Sequence, residues 1–216
     1  MAYDLEEQEQ LATLKAWWAQ YGNIATWFLT FALAIYAAWT SWNYYQRNQA
    51  TQASQLFEEL QKSVVSKDGP KVQRAATDME EKFAKTAYAQ MSALVAAKVA
   101  FDANDLKTAK VQLQWVVDHG VDDEYKAIAK IRLAGILLDE KMYEEGLKQL
   151  SGDFPAQLGA LAADRKGDIL LAQNKNVEAR AAYQIALDKM EKNNPGRQFI
   201  QLKLDSLGGA LPKAAS

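Results

Sequence analysis

Thirty-one consecutive residues near the start of the chain, positions 16–46, carry no charged side chain. Few folds accept such a run. Within it, residues 24–42 supply nineteen mostly apolar side chains, and a helix of about 20 residues crosses roughly 30 Å of hydrocarbon. Aromatic residues mark both ends: Trp17, Trp18 and Tyr21 on one side, Trp39, Trp42, Tyr44 and Tyr45 on the other. A helical rise puts Tyr21 and Trp42 about 31 Å apart, the separation of two interfacial aromatic belts. The residues before the run include Asp4, Glu6, Glu7 and Glu9 rather than positive charge, which argues against a cleaved secretory leader. Residues 22–45 therefore read as a transmembrane helix set in membrane lipid, behind a short acidic N-terminal tail of residues 1–21.

Two further features of this segment bear on function. The flanking cations are sparse, Lys15 before it and Arg47 then Lys62 after it. They do not decide the orientation, and lean slightly toward a cytoplasmic C-terminus. Thr26, Thr30, Ala34, Ala38 and Ser41 follow one another at spacings of four, four, four and three, a stripe of small residues along one side. Small stripes let two transmembrane helices approach closely, so these five positions are the candidate docking stripe.

After Arg47 the pattern becomes helical with polar faces. Four prolines and eleven glycines against many Ala, Leu, Lys, Glu and Gln favour helix over sheet. A helix is expected over residues 48–66, then the turn "KDGP", then a second helix over 71–85. Beyond that the chain repeats itself. The stretches starting at Ala96, Leu133 and Lys166 each place a small residue on a first helix: Ala97, Ala134 and Gly167. Twelve positions later each places another, Ala109, Gly146 and Ala179, and four beyond that a large one, Leu113, Leu150 and Tyr183. The units are thirty-seven and thirty-three residues apart, close to the roughly 34 of a tetratricopeptide repeat (TPR).

That spacing encodes packing. Antiparallel helices cross closely where both present small side chains, and large residues fill the space beside the crossing. The segments "DAND", "DEK" and "QNKN" break the chain between helices. The first hairpin, residues 48–85, fits the pattern poorly, as a terminal repeat does. A last helix, residues 197–207, would cap the other end through Phe199, Leu202 and Leu207, leaving a flexible tail at 208–216. The expected fold is all-α: an N-terminal transmembrane helix, then a TPR-like α-solenoid of about four hairpins over 46–207 with a C-terminal capping helix.

Little in the chain can do covalent chemistry. The absence of cysteine excludes disulfides, thiolate metal sites and cysteine nucleophiles. His119 is the only histidine, which removes two-histidine metal sites. It stands in the last turn before Gly120, where a helix end favours a cation. Asp122, Asp123 and Glu124 precede the next helix and read as caps rather than a calcium loop. No phosphate loop or dinucleotide fingerprint occurs, and a net charge of -2 with no basic run gives no sign of nucleic-acid binding. No catalytic residue, cofactor or metal is expected, and the chain does not read as an enzyme. What remains is a surface. Outward positions on the first helices of the three units are Lys98 and Phe101, Arg132 and Leu138, and Arg165, Asp168 and Leu171. Charge beside large apolar groups suits an extended peptide or a partner helix.

The combination resembles a known family. An acidic N-terminal tail, one early transmembrane helix and a TPR-like domain of this size resemble the ancillary Sec translocon subunit family of Gram-negative bacteria. "IRLAGILL" at 131–138, "DRKGDILLAQNKNVEARAAYQIAL" at 164–187 and "LKLDSL" at 202–207 carry the local likeness. The domain class is shared with cell-division coordinator proteins. Arg132, Lys166, Gly167 and Asp168 match recurring positions of the family, while Gly135 stands where a second basic residue is expected. The resemblance implies an inner-membrane protein with its N-terminus in the cytoplasm and its repeats in the periplasm. It implies association with the SecYEG translocon and with a membrane-anchored periplasmic chaperone of the prolyl-isomerase type, and help in passing unfolded secretory clients onward. A membrane-anchored scaffold for envelope assembly or division, and a cytoplasm-facing regulatory adaptor, are the alternative readings.

Overall fold

The computed structural model describes the backbone of residues 2–208 and the side chains of residues 7–208. The expected tail at 209–216 lies outside the described residues. These residues form nine helices and no strand: α1 Ala2–Val65, α2 Gly69–Phe83, α3 Ala87–Asp102, α4 Leu106–His119, α5 Asp123–Asp139, α6 Tyr143–Gln149, α7 Ala156–Ala172, α8 Asn176–Lys189 and α9 Arg197–Ser206. The chain divides into two compact units, one ending at Gln49 and one starting at Ala50.

The first unit is helical from Ala2, so the acidic segment is not a separate tail. One helix, α1, also takes in the apolar stretch and the helix expected at 48–66. The reason is local. Gly22 is the only helix-weakening residue of its kind inside α1, and a single glycine costs about 1 kcal/mol, too little to stop a helix rich in Leu, Ala, Glu and Gln. Thr26, Thr30 and Thr40 each donate their hydroxyl to the carbonyl four residues earlier, at 2.7, 2.8 and 2.8 Å. That satisfies polar groups which would otherwise be costly in an apolar medium. The helix is long and apolar enough to cross a membrane, and none of its apolar window is buried within the protein.

The second unit is a stack of antiparallel hairpins. Its core begins with Ala53, Phe57 and Leu60 of α1 against Val72, Ala76 and Met79 of α2 and Ala89 and Ala96 of α3. It continues through clusters on Leu113 and Leu133, on Ile131 and Ile169, and on Tyr183 and Ile200. All the small and large repeat positions are buried. The turns repeat as well. Lys67, Asn104, Lys141 and Asn174 all have φ between 55° and 61°. The amide one residue beyond each donates to the carbonyl five residues back: Asp68 to Ser63, Asp105 to Ala100, Met142 to Leu137 and Lys175 to Leu170, at 2.8 to 2.9 Å. This Schellman closure ends each first helix and starts each second one. It occurs four times, so α1 and α2 form a true repeat despite their poor sequence match.

Two expectations need correction at the C-terminal end. The capping helix α9 buries Ile200 and Leu204, whereas Phe199 and Leu202 are 72% and 69% exposed. Lys203 explains the rotation, because its ammonium reaches into α7 to pair with Asp164 at 2.8 Å and Asp168 at 2.7 Å. That contact turns Ile200 and Leu204, three residues before and one after, onto the core. Leu207 is partly buried there, as expected.

Polar groups also enter the core. The Gln90 Oε1 accepts from the backbone amides of Val121 and Asp122 at 2.9 and 3.2 Å, pinning the link between α4 and α5. Asp122 caps α5 by accepting from the Glu124 amide at 2.8 Å. His119 ends α4, with its ring stacked on Trp115. On α2, burial pushes the Glu80 carboxyl from an ordinary 4.5 up to about 7, against the opposing effects of a Gln112 hydrogen bond and the His119 charge. The folded state therefore holds this proton more tightly than the unfolded chain. Stability is greatest below pH 4.5 and declines as the pH rises toward 7. Glu80 is only half-buried, and screening leaves about 1 kcal/mol of that decline. Glu80→Gln is expected to raise the urea midpoint at pH 8 and to flatten the stability profile between pH 4.5 and 7. A lower midpoint at pH 8 would show that the ionised carboxylate stabilises the fold instead.

Candidate functional site

The first helices of successive hairpins, α3, α5 and α7, share a cleft of about 370 Å³. Lys98 and Phe101 reach it from α3, Arg132, Gly135 and Asp139 from α5, and Arg165 from α7; Leu113 and Ile136 form part of its floor. The positions follow from the repeat. Lys98 and Phe101 lie one and four residues beyond the small residue Ala97, which is buried at the helix crossing, so their side chains emerge beside it. Phe101 stays 46% exposed, a large apolar group held at the rim.

A second cleft of about 450 Å³ adjoins the first and shares Lys98, Asp102 and Arg132 with it. It is more apolar, lined by Val64 of α1, Met91 and Val95 of α3, and Tyr125 and Ile128 of α5. None of these five was anticipated from sequence. A signal was present: Met91, Val95 and Lys98, and likewise Tyr125, Ile128 and Arg132, follow the spacings of three and four that keep residues on one helix face.

The structure brings together four of the seven residues expected to line a groove: Lys98, Phe101, Arg132 and Arg165. The other three are employed elsewhere. Leu138 packs, partly buried, against the Ile131 and Ile169 cluster. Leu171 packs in the same way against the Tyr183 cluster. Asp168 accepts from the Tyr183 hydroxyl at 2.9 Å and from Lys203 at 2.7 Å. Leu138 and Leu171 lie four residues beyond the small positions, as Phe101 does, but each is covered where Phe101 is open.

The electrostatics of the first cleft are uneven. Lys98 is tied to Asp102 at 2.7 Å. Arg165 reaches Asp168 only at 3.5 Å, and its Nε is enclosed with no hydrogen-bond partner among the described residues. Its guanidinium lies over Gly135, where an added Cβ would stand 3.5 Å from Cζ. The missing side chain at Gly135 thus leaves room for a cation from the next repeat, so a second basic group beside Arg132 comes from α7 rather than α5. In the first unit, Thr26, Thr30, Ala34, Ala38 and Ser41 are not buried by any part of the protein, and the hydroxyls of Thr26 and Thr30 are turned back onto their own helix.

Known proteins match this arrangement along almost its whole length. A family model described as a tetratricopeptide repeat-like domain matches residues 15–209. The ancillary SecYEG translocon subunit of Neisseria gonorrhoeae is 32% identical over 213 residues, covering 96% of this chain and all (100%) of that protein. The chain belongs to the ancillary SecYEG translocon subunit family. Other family members are more distant: that of Haemophilus influenzae is 26% identical over 209 residues, with 96% of this chain and 100% of that protein covered. The Escherichia coli member is 27% identical over 204 residues, with 93% and 96% covered. Of the family-matching residues in this member of the ancillary SecYEG translocon subunit family, Arg132 faces both clefts. Gly167 lies under the Tyr183 ring, and Asp168 ties α7 to α8 and α9. Lys166 is exposed.

Proposed function

We propose that this chain is a non-enzymatic adaptor of the Sec translocon in the bacterial inner membrane. Residues 22–45 of α1 span the bilayer once, with the N-terminus in the cytoplasm and the solenoid of residues 46–207 in the periplasm. SecYEG is the principal partner. The likeness to relatives named for that complex, over nearly every residue, is the observation that carries this reading. The wholly unburied apolar surface of α1, which would be costly in water, supports the membrane placement. On this reading the stripe from Thr26 to Ser41 faces a partner helix in the bilayer. The clefts across α3, α5 and α7 hold a segment of a membrane-anchored periplasmic prolyl-isomerase-type chaperone or of an unfolded secretory client, which the adaptor helps to pass onward.

Photocrosslinking tests the association. A photoreactive residue at Ala34 or Ala38, in native membranes, is expected to give an adduct with a SecYEG subunit or with the chaperone; adducts with lipid alone at both positions would sink the proposal. Protease added to intact spheroplasts is expected to digest the solenoid without lysis. Digestion only after lysis would place it in the cytoplasm.

A further inference from the structure

The two adjoining clefts differ in chemistry, and their shared wall says how an occupant must run. One cleft is walled by Met91, Val95, Tyr125 and Ile128. The other holds Arg132 beside Lys98, with the Arg165 guanidinium brought over Gly135. Lys98 and Arg132 belong to both. Three cations from three successive repeats therefore converge at the boundary between an apolar half and a charged half.

Their existing partners do not neutralise them. Asp102 engages Lys98. Arg132 is exposed and has no ion pair among the described residues. Arg165 has one long contact to Asp168, a carboxylate that also serves Lys203 and Tyr183. Asp139, the other acidic group of the cleft, lies seven residues beyond Arg132 on α5, about 10 Å along the helix. An anion placed among Lys98, Arg132 and Arg165 is thus closer to cations than to Asp139. Arginine presents a planar fork that suits a carboxylate held by two bonds.

We infer that this double cleft binds a protein segment of defined chemistry: apolar side chains seated between α3 and α5 and, next to them, a carboxylate held by Arg132 and Arg165 with Lys98 behind. The inference rests on the reading of the clefts as a partner site, and it narrows that site to an acidic-ended amphipathic segment. A purely apolar stretch of unfolded chain would fill the first half and leave the three cations without a counter-charge. A basic segment would be repelled.

The test uses the full chain reconstituted in lipid nanodiscs and a random twelve-residue peptide library displayed on phage, with no translocon present, so its failure is distinct from failure of the SecYEG association. Enriched peptides are expected to combine two or three apolar residues with a neighbouring Asp or Glu. Their synthetic forms should lose about tenfold in affinity when the acid is replaced by its amide, and about tenfold on binding to Arg132→Glu, the loss of one charge-assisted contact. Arg132 is exposed, so the variant should keep the wild-type circular dichroism spectrum. Raising salt from 0.05 to 0.3 M should weaken the acidic peptide several-fold and leave its amide counterpart unmoved. Enrichment of peptides without a carboxylate, binding indifferent to Arg132→Glu, or no enrichment at all would each overturn the inference.

Discussion

Gly167→Ala is expected to destabilise the second unit by about 3 kcal/mol, although the change improves intrinsic helix propensity by up to about 1 kcal/mol. A Cβ at that position would stand under 3.0 Å from Cε1, Cδ1 and Cζ of Tyr183. The ring has nowhere to go. Tyr183 is fully buried, and its hydroxyl donates to Asp168 at 2.9 Å. Moving the ring would break that bond, and moving α7 would open the interface with α8. Other glycines set a scale. Gly146→Ala would meet Ile169 Cδ1 at 2.9 Å, the end of a flexible side chain, and should cost about 1 kcal/mol. Gly135→Ala meets its nearest neighbour at 3.5 Å and should be neutral or stabilising by up to about 1 kcal/mol. Urea unfolding of the full chain in detergent, followed by circular dichroism, reads all three. Gly167→Ala in a Tyr183→Leu background should cost little beyond Tyr183→Leu itself, because the two substitutions act at one contact. Equal costs in both backgrounds would show that the clash is not with the ring.

The same geometry shows why parts of the fold were legible in the sequence and parts were not. Ala97, Ala134 and Gly167 could be recognised because three repeats solve the helix crossing in the same way, with small residues at the contact and a large one beside it. The first repeat solves it in reverse. Counting back along the left-handed turns from Asn104 to Lys67, the equivalent positions are Leu60, Val72 and Ala76, all fully buried. Large residues stand where the others are small, and a small one stands where the others are large. Total volume is conserved while the pattern inverts, so a search for small residues passes over it. What did persist is the backbone turn, but Lys67 and Lys141 adopt its left-handed conformation as readily as Asn104 and Asn174 do here. A lysine gives no hint of that. Half of the turns were hidden for this reason.

The clefts were legible to the extent that repeat arithmetic governs them. Lys98, Arg132 and Arg165 could be placed on exposed faces from their offsets to Ala97, Ala134 and Gly167. Burial at the neighbouring offsets could not, because it depends on the next repeat. Leu138 is covered where α6 and α7 pack beside it, and Leu171 is covered by the α8 and α9 side of the stack. The extent of α1 was hidden by the change of surface character near Arg47, which reads as a boundary between elements. It marks a change of surroundings along one uninterrupted helix.

Lys203→Met is expected to cost about 2 to 3 kcal/mol at pH 7, less than the loss of a fully buried pair because the lysine side chain is 34% exposed. Burial by itself would lower the Lys203 pKa, but the hydrogen bonds to Asp164 and Asp168 outweigh it and hold the ammonium above its ordinary 10.5. Its contribution is therefore present at every pH below 10.5 and is lost as the pH climbs through the elevated value. Methionine preserves the packing of the stem and removes only the charge. Asp164 and Asp168, one turn apart on α7 and both under 20% exposed, are then left facing each other without a cation. The helix that should come loose is α9, since Lys203 is its tie to α7 while Ile200 and Leu204 supply its apolar face. Hydrogen exchange should quicken at α9 before it does at α3 or α5. The pH response of the variant is the sharper test. Lowering the pH toward 4, the ordinary aspartate range, should return part of the lost stability relative to wild type, because protonating either carboxylate relieves the repulsion. Asp164→Asn in the Lys203→Met background should return a similar part at pH 7. If neither the proton nor the amide restores stability, the loss comes from the lysine stem rather than from stranded charge, and the ion pair is not what holds the cap.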